Sequence, residues 1–127
     1  MIVAKHGLLA AARLRKQVDG IRRVVIARTD GIALYDDVPL EQRDGAAALT
    51  AAVLGLADTS SASLDLDEVQ FTFTMGAQGS LFVVPVDHQH LLAIVAEAGV
   101  DTVALASAAQ SEIAVLRRLA GPAMAVS

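Results

Sequence analysis

Residues 23–37, RVVIARTDGIALYDD, decide the fold, because two apolar runs meet at Asp30-Gly31, the dipeptide best suited to a tight hairpin turn. A type I′ turn needs positive φ at both central residues, which Asp tolerates and Gly adopts freely, so this reading places Thr29 opposite Ile32. Strands are predicted over 23–28 and 32–36. Upstream, Ala11, Leu14, Val18 and Ile21 recur three or four apart, the spacing of a helix face, and predict a helix over 7–18 that stops near Asp19-Gly20. Downstream, Asp36-Asp37-Val38-Pro39 breaks the sheet pattern. Pro39 presets the backbone for helix entry, and Glu41 and Asp44 lie where the positive end of a helix dipole favours carboxylates, so a second helix is predicted over 40–57. Thr59, Ser60 and Ser61 are read as the loop that ends it.

The second half of the chain is read as a three-stranded antiparallel meander followed by a helix. Over 69–75, Val69, Phe71, Phe73 and Met75 take one face of a strand, and Gln70, Thr72 and Thr74 the other. Turns at 76–79 and 87–89 separate strands over 80–86 and 90–96, with Pro85 at a strand end because it cannot donate to a ladder. The last helix, over 101–119, turns Leu105, Ala109, Ile113 and Leu116 inward and ends at Gly121-Pro122. The order α-β-β-α-β-β-β-α gives an α+β sandwich, one five-stranded antiparallel sheet flanked by helices.

Composition narrows the function. At 127 residues the chain is read as one domain over 1–127, and 54% apolar residues with 3% aromatics require an aliphatic core. Cysteine is absent, which excludes disulfides, thiolate catalysis and Cys-ligated zinc and points to the cytoplasm. The longest uncharged apolar run, 45–57, is well short of the roughly 20 residues of a membrane span, so no membrane insertion is expected. The net charge of −4 conceals an asymmetry: residues 1–28 carry seven basic groups against Asp19 alone. Without aromatics for base stacking, that segment is read as a solvated face complementing an acidic protein surface, with no nucleic-acid partner.

No stretch assembles a catalytic constellation. His88 and His90 lack further metal ligands, and 76–79 lacks the lysine and the following helix of a phosphate loop. Asp65, Asp67 and Glu68 lack the glycine and distant glutamate of a calcium loop, Arg28 reads as a surface charge, and Ser111 has no histidine partner. No enzyme activity and no cofactor are expected.

Two surfaces need covering instead. The segment 45–57, GAAALTAAVLGLA, is a helix with no charge on any face, and a sheet hides only one side of it. The strand over 69–75, free of charge, proline and glycine, is read as a sheet edge of the kind natural proteins rarely leave open. Pairing each with its symmetry mate predicts a homodimer through Ala48, Ala51, Ala52, Val69, Phe71 and Phe73.

The runs Val18-Asp19-Gly20-Ile21, Val24 to Arg28 with Thr29-Asp30-Gly31-Ile32-Ala33, the alanine-rich middle helix, Gly79-Ser80-Leu81-Phe82-Val83-Val84-Pro85-Val86 and Leu91-Leu92-Ala93-Ile94-Val95 together resemble the Roadblock/dynein light chain family over about 7–119. The resemblance implies a profilin-like three-layer sandwich and dimerisation through the middle helix and the strand after it. It also implies a non-enzymatic adaptor or regulator of a Ras-like small GTPase, in bacteria sometimes alongside a sensor kinase. Partner contacts would fall on Glu41, Gln42, Arg43 and Asp44. The alternatives are a small-ligand sensor with a pocket lined by Phe71, Phe73 and Phe82, and a purely structural assembly subunit.

Overall fold

The computed structural model describes residues 1–121, so the expectation that Pro122 helps to end the last helix falls outside them. The elements are α1 (Ala4–Gln17), β1 (Ile21–Arg28), β2 (Ala33–Asp36), a single 3₁₀ turn (Leu40–Gln42), α2 (Ala46–Ser63), β3 (Thr72–Met75), β4 (Ser80–Pro85), β5 (His90–Ala96) and α3 (Thr102–Ala120). The five strands form one antiparallel sheet in the order β2-β1-β5-β4-β3. This is the α-β-β-α-β-β-β-α sandwich anticipated from sequence, with a profilin-like arrangement.

Strand alternation sorts the core by size. Val24, Ile26, Phe82, Val84, Leu92 and Ile94 point to one face, where α1 and α3 supply Leu14, Leu105, Ile113 and Leu116. Val25, Ala27, Val83, Leu91 and Ala93 point to the other, under Ala47 and Leu54 of α2. Large aliphatic chains thus fill the two-helix side, and small ones let α2 sit close to the sheet. The inward positions read for α3 are buried as expected, and the Asp101 carboxylate caps its start, accepting from the amides of Val103 and Ala104 at 3.1 and 3.0 Å.

Four local expectations are corrected. The hairpin is not a type I′ turn: the Gly31 amide donates to the Arg28 carbonyl at 2.9 Å and the Arg28 amide to the Ile32 carbonyl at 2.8 Å, so Arg28, not Thr29, faces Ile32. Thr29 and Asp30 keep negative φ, and Gly31, at φ +95°, alone takes the left-handed position of a three-residue loop. That arrangement spares Asp30 the positive φ that a type I′ turn would have required of it. Second, α2 does not begin at Leu40. Pro39 opens only one 3₁₀ turn, and Gly45, at φ +83°, redirects the chain before the helix starts at Ala46.

Third, α2 runs on through Thr59, Ser60 and Ser61 to Ser63. The Thr59 hydroxyl donates back to the Gly55 carbonyl at 3.1 Å, and the Ser61 hydroxyl reaches the Asp67 carbonyl, so these side chains are satisfied within or beside the helix. Fourth, β3 covers only Thr72–Met75. Thr72 pairs with Val83, so the ladder extended by two residues would set Gln70 against Pro85, which has no amide to offer. The chain peels away there. Val69 consequently packs with the α2-side cluster, and Phe73 with the opposite one, rather than sharing a face.

The basic N-terminal segment is largely neutralised within the chain. Arg13 clasps Glu112 with three contacts of 2.8–3.2 Å, Arg15 meets Asp37 at 2.6 Å, Arg22 meets Glu97 at 3.2 Å, Arg23 meets Asp36 at 2.7 Å, and Arg28 meets Asp30 at 2.6 Å. For these five arginines the expected acidic partner surface is the chain's own. Lys5 and Lys16 make no ion pair among the described residues.

Glycine at position 7 is a packing requirement. A Cβ built there would lie 2.2 Å from the Tyr35 ring, where α1 crosses β2. Gly7→Ala forces α1 off the sheet, and urea denaturation should register a loss of about 1–3 kcal/mol despite alanine's better helix propensity. A mutant of equal or greater stability would mean that α1 repositions freely.

Candidate interaction surface

The surface candidate begins with α2, whose inward residues Ala47, Thr50 and Leu54 are buried against the sheet. Its outer side carries Leu49, Ala52, Gly55 and Leu56, with the two leucines 62% and 70% exposed. Leu49 and Leu56 lie outside the residues expected at the interface, yet with Ala52 they recur at helical spacing, so this apolar stripe was readable from sequence. Nothing lies within 4 Å of a Cβ built on Gly55.

The six residues read as a dimer interface separate into two groups. Ala48, Ala52 and Phe71 are exposed, whereas Ala51, Val69 and Phe73 are half-buried and already pack on the core clusters. Ala48 also lies beside the β1–β2 loop, its Cα 3.4 Å from a Cβ built on Gly31. β3 is an edge strand, paired only with β4.

The quartet Glu41, Gln42, Arg43 and Asp44 is exposed on the segment leading into α2, but only its first half faces outward unengaged. The Arg43 guanidinium donates to the Asp36 carbonyl at 2.9 Å and the Val38 carbonyl at 3.3 Å, and Asp44 lies 3.3 Å from Arg23. Beneath them Arg23 grips buried Asp36 through two hydrogen bonds of 2.9 and 2.7 Å. Asp36 holds the Arg23 guanidinium well above the ordinary arginine range through its hydrogen bonds. Asp37 in turn accepts from the Val24 amide at 3.0 Å. Burial, with Asp37 nearby, pushes the Tyr35 phenol up. The network ties the 3₁₀ turn to the sheet and presents Leu40, 75% exposed, beside Glu41 and Gln42.

The aromatic residues do not form the ligand pocket of the sensor alternative. Phe71 and Phe73 pack on Phe82 with ring centroids 5.0 and 5.9 Å apart, filling the space between them. A cleft of about 640 Å³ opens instead where the chain peels from β4, among Leu54, Val69, Gln70, Pro85, His88 and Arg117. None of the three phenylalanines lines it. The Arg117 guanidinium is engaged with the Val86 carbonyl at 2.6 Å. Among the described residues no helix is long and apolar enough to cross a membrane.

Comparison with known proteins follows the fold. Residues 8–96 match the family model of the Roadblock/LC7 domain. No protein of curated function matches the chain. Among solved structures, a Roadblock/LC7 domain from Streptomyces avermitilis is similar with a TM-score of 0.83 and 19% identity, over 91% of this chain and 98% of that one. Myxococcus xanthus MglB gives a TM-score of 0.79 at 17% identity, over 91% and 94%. The gliding protein MglB of Thermus thermophilus gives 0.74 at 17%, over 94% and 91%. At these identities the likeness concerns the fold.

The anchoring network makes a quantitative distinction. Arg23→Met strands the buried Asp36 carboxylate and should cost about 3 kcal/mol in denaturant unfolding, whereas Arg43→Ala removes two contacts to carbonyls and should cost about 1 kcal/mol. Arg43→Ala should also speed amide exchange over 38–44 while leaving β1 and β5 protected. Equal losses from both substitutions would mean that Asp36 is reached by water once Arg23 is removed.

Proposed function

The chain belongs to the Roadblock/LC7 family, and we propose that it is a non-enzymatic, homodimeric adaptor or regulator that engages a Ras-like small GTPase or the signalling complex around it, including a sensor kinase where one is present. The observation that carries this reading is the apolar outer stripe of α2, with Leu49 and Leu56 more than half exposed beside the open edge of β3. A monomer has little reason to keep such a stripe in water. The overall resemblance to MglB structures supports the same assignment.

In this reading two copies join through the α2 stripes and the β3 edges, with Ala52, Leu56 and Phe71 as the contact residues already exposed. Exposed Ala48 flanks them, and half-buried Ala51, Val69 and Phe73 support them from beneath. Partner contacts fall on Leu40, Glu41 and Gln42, because Arg43 and Asp44 are engaged with the sheet. The function is a single-domain one, and the protein works in the cytoplasm.

Affinity capture from the source cells, with lysate divided between GDP and a non-hydrolysable GTP analogue, should retain a small GTPase with a nucleotide preference. Recovery of no GTPase in either arm would overturn the GTPase reading. Hydrolysis by the recovered GTPase at saturating protein then separates an activator from a scaffold.

The interface has its own test. Ala52→Glu or Leu56→Glu should weaken self-association by on the order of a hundredfold, because each buries an unpaired charge at a two-fold contact. Sedimentation at matched concentrations reads this. Variants as dimeric as the wild type would move the interface elsewhere. Ala48→Glu is a poorer probe, since it also disturbs the loop at Gly31.

A further inference from the structure

The outer face of α1 is a second unpartnered surface. Lys5, Leu8, Leu9, Ala12 and Lys16 fall within one narrow stripe of the helix and all are exposed, Leu8 and Leu9 by 61% and 53%. The buried face, with Gly7, Ala10, Ala11 and Leu14, lies opposite. The stripe has an apolar centre and a cation near each end, about 16 Å apart along the helix. Those two cations are the basic residues of the N-terminal segment that no carboxylate of the described chain engages.

A complementary surface follows α2. Leu64 and Leu66 are 67% and 65% exposed and alternate with Asp65, Asp67 and Glu68, none of which is paired with a cation among the described residues. Asp58 stands on the last turns of the helix nearby, and the negative end of the α2 dipole adds to the local potential. Apolar groups here sit among anions, as those of α1 sit between cations. Within one chain the two surfaces cannot meet. α1 packs under β1 and β2, whereas the loop leads into β3 at the opposite sheet edge and belongs to the other layer.

We propose that the α1 stripe docks the 64–68 loop of a second copy, so that copies associate head to tail in addition to any two-fold dimer. Charge complementarity selects the occupant: the surface that fits a Lys-Leu-Leu-Lys stripe is an acidic one with exposed leucines, and this chain carries it. The contact is heterologous, because different patches meet, and it therefore extends into larger assemblies unless a ring closes it.

Sedimentation velocity on the whole protein tests this at about 0.05 M and about 0.5 M salt, where screening differs strongly. The wild type should form concentration-dependent species beyond its basic oligomer at low salt and lose them at high salt. Lys5→Glu/Lys16→Glu and, separately, Asp58→Lys/Glu68→Lys should each weaken that step roughly tenfold or more, with unchanged circular dichroism. Mixing the two variants should restore one such contact per pair, since the intact stripe of the loop variant then meets the intact acidic loop of the stripe variant. Growth that ignores either reversal, no growth in the wild type, or a mixture that stays dissociated would each overturn the proposal. So would salt-sensitive binding of wild-type protein to anionic phosphatidylserine vesicles, lost in the α1 variant, with no change in assembly, because the stripe would then serve a lipid surface.

Discussion

The antiparallel ladder between β1 and β5 is the constraint from which the rest of the structure follows. It joins the front of the chain to its last strand, from Ile21 opposite Ala96 to Arg28 opposite His90, and both strands are central in the sheet. Once Val24 faces Ile94 and Val25 faces Ala93, the alternation of the strands fixes which side receives large residues and which receives small ones. A slip of one residue would put alanines beneath α1 and α3 and isoleucines beneath α2. The two-helix layer would lose its packing, and α2 would be lifted from the sheet. The ladder therefore also sets how closely α2 lies on its inner side, and what it has left to offer on its outer one.

Much of this was legible because periodic patterns survive tertiary context. The inward residues of α3 were readable from spacing alone, since they present a consistent buried face to a single layer, whereas β5, buried on both faces, was readable as a short apolar run bounded by turns. The misreadings share another cause. β3 shortens because its partner across the ladder is Pro85, a fact about pairing and not about its own seven residues. The start of α2 shifts because Gly45 takes a left-handed conformation while Arg43 reaches back to Asp36 and Val38. In the hairpin, Asp-Gly permits two turn geometries one residue apart, and the three-residue loop needs a positive φ only at Gly31, which spares Asp30 one.

The site was legible to the same extent. An uncharged helix announces an uncovered face in sequence, and the structure leaves Leu49, Ala52 and Leu56 outward. Charge was harder to read. The arginines of the first 28 residues looked available to a partner, yet Arg13, Arg15, Arg22, Arg23 and Arg28 each find a carboxylate, and four of those carboxylates lie far along the chain or across the sheet. Spacing gives no hint of such pairs. Net charge by segment therefore overstated the basic surface, and what remains exposed on α1 is two lysines around two leucines.

α2 carries two tasks with different residues, and Gly55 shows where they conflict. Facing the sheet, Ala47, Thr50 and Leu54 hold the helix in place, and the Thr50 hydroxyl is absorbed by the Ala46 carbonyl at 2.9 Å, so the inner face is fully satisfied within the chain. A mid-helix glycine, by contrast, costs about 1 kcal/mol relative to alanine. In the single chain nothing offsets that cost, because the space over Gly55 is empty and a methyl group would fit. Close approach of another backbone is the circumstance in which a missing side chain becomes an advantage, and Gly55 stands beside Ala52 at the flank of the outer stripe, where it borders the cleft. If the proposed two-fold contact uses that gap, Gly55→Ala should stabilise the separated subunit and weaken the pair. The sign of the change would then differ between the two states, which a purely intrinsic propensity effect does not produce.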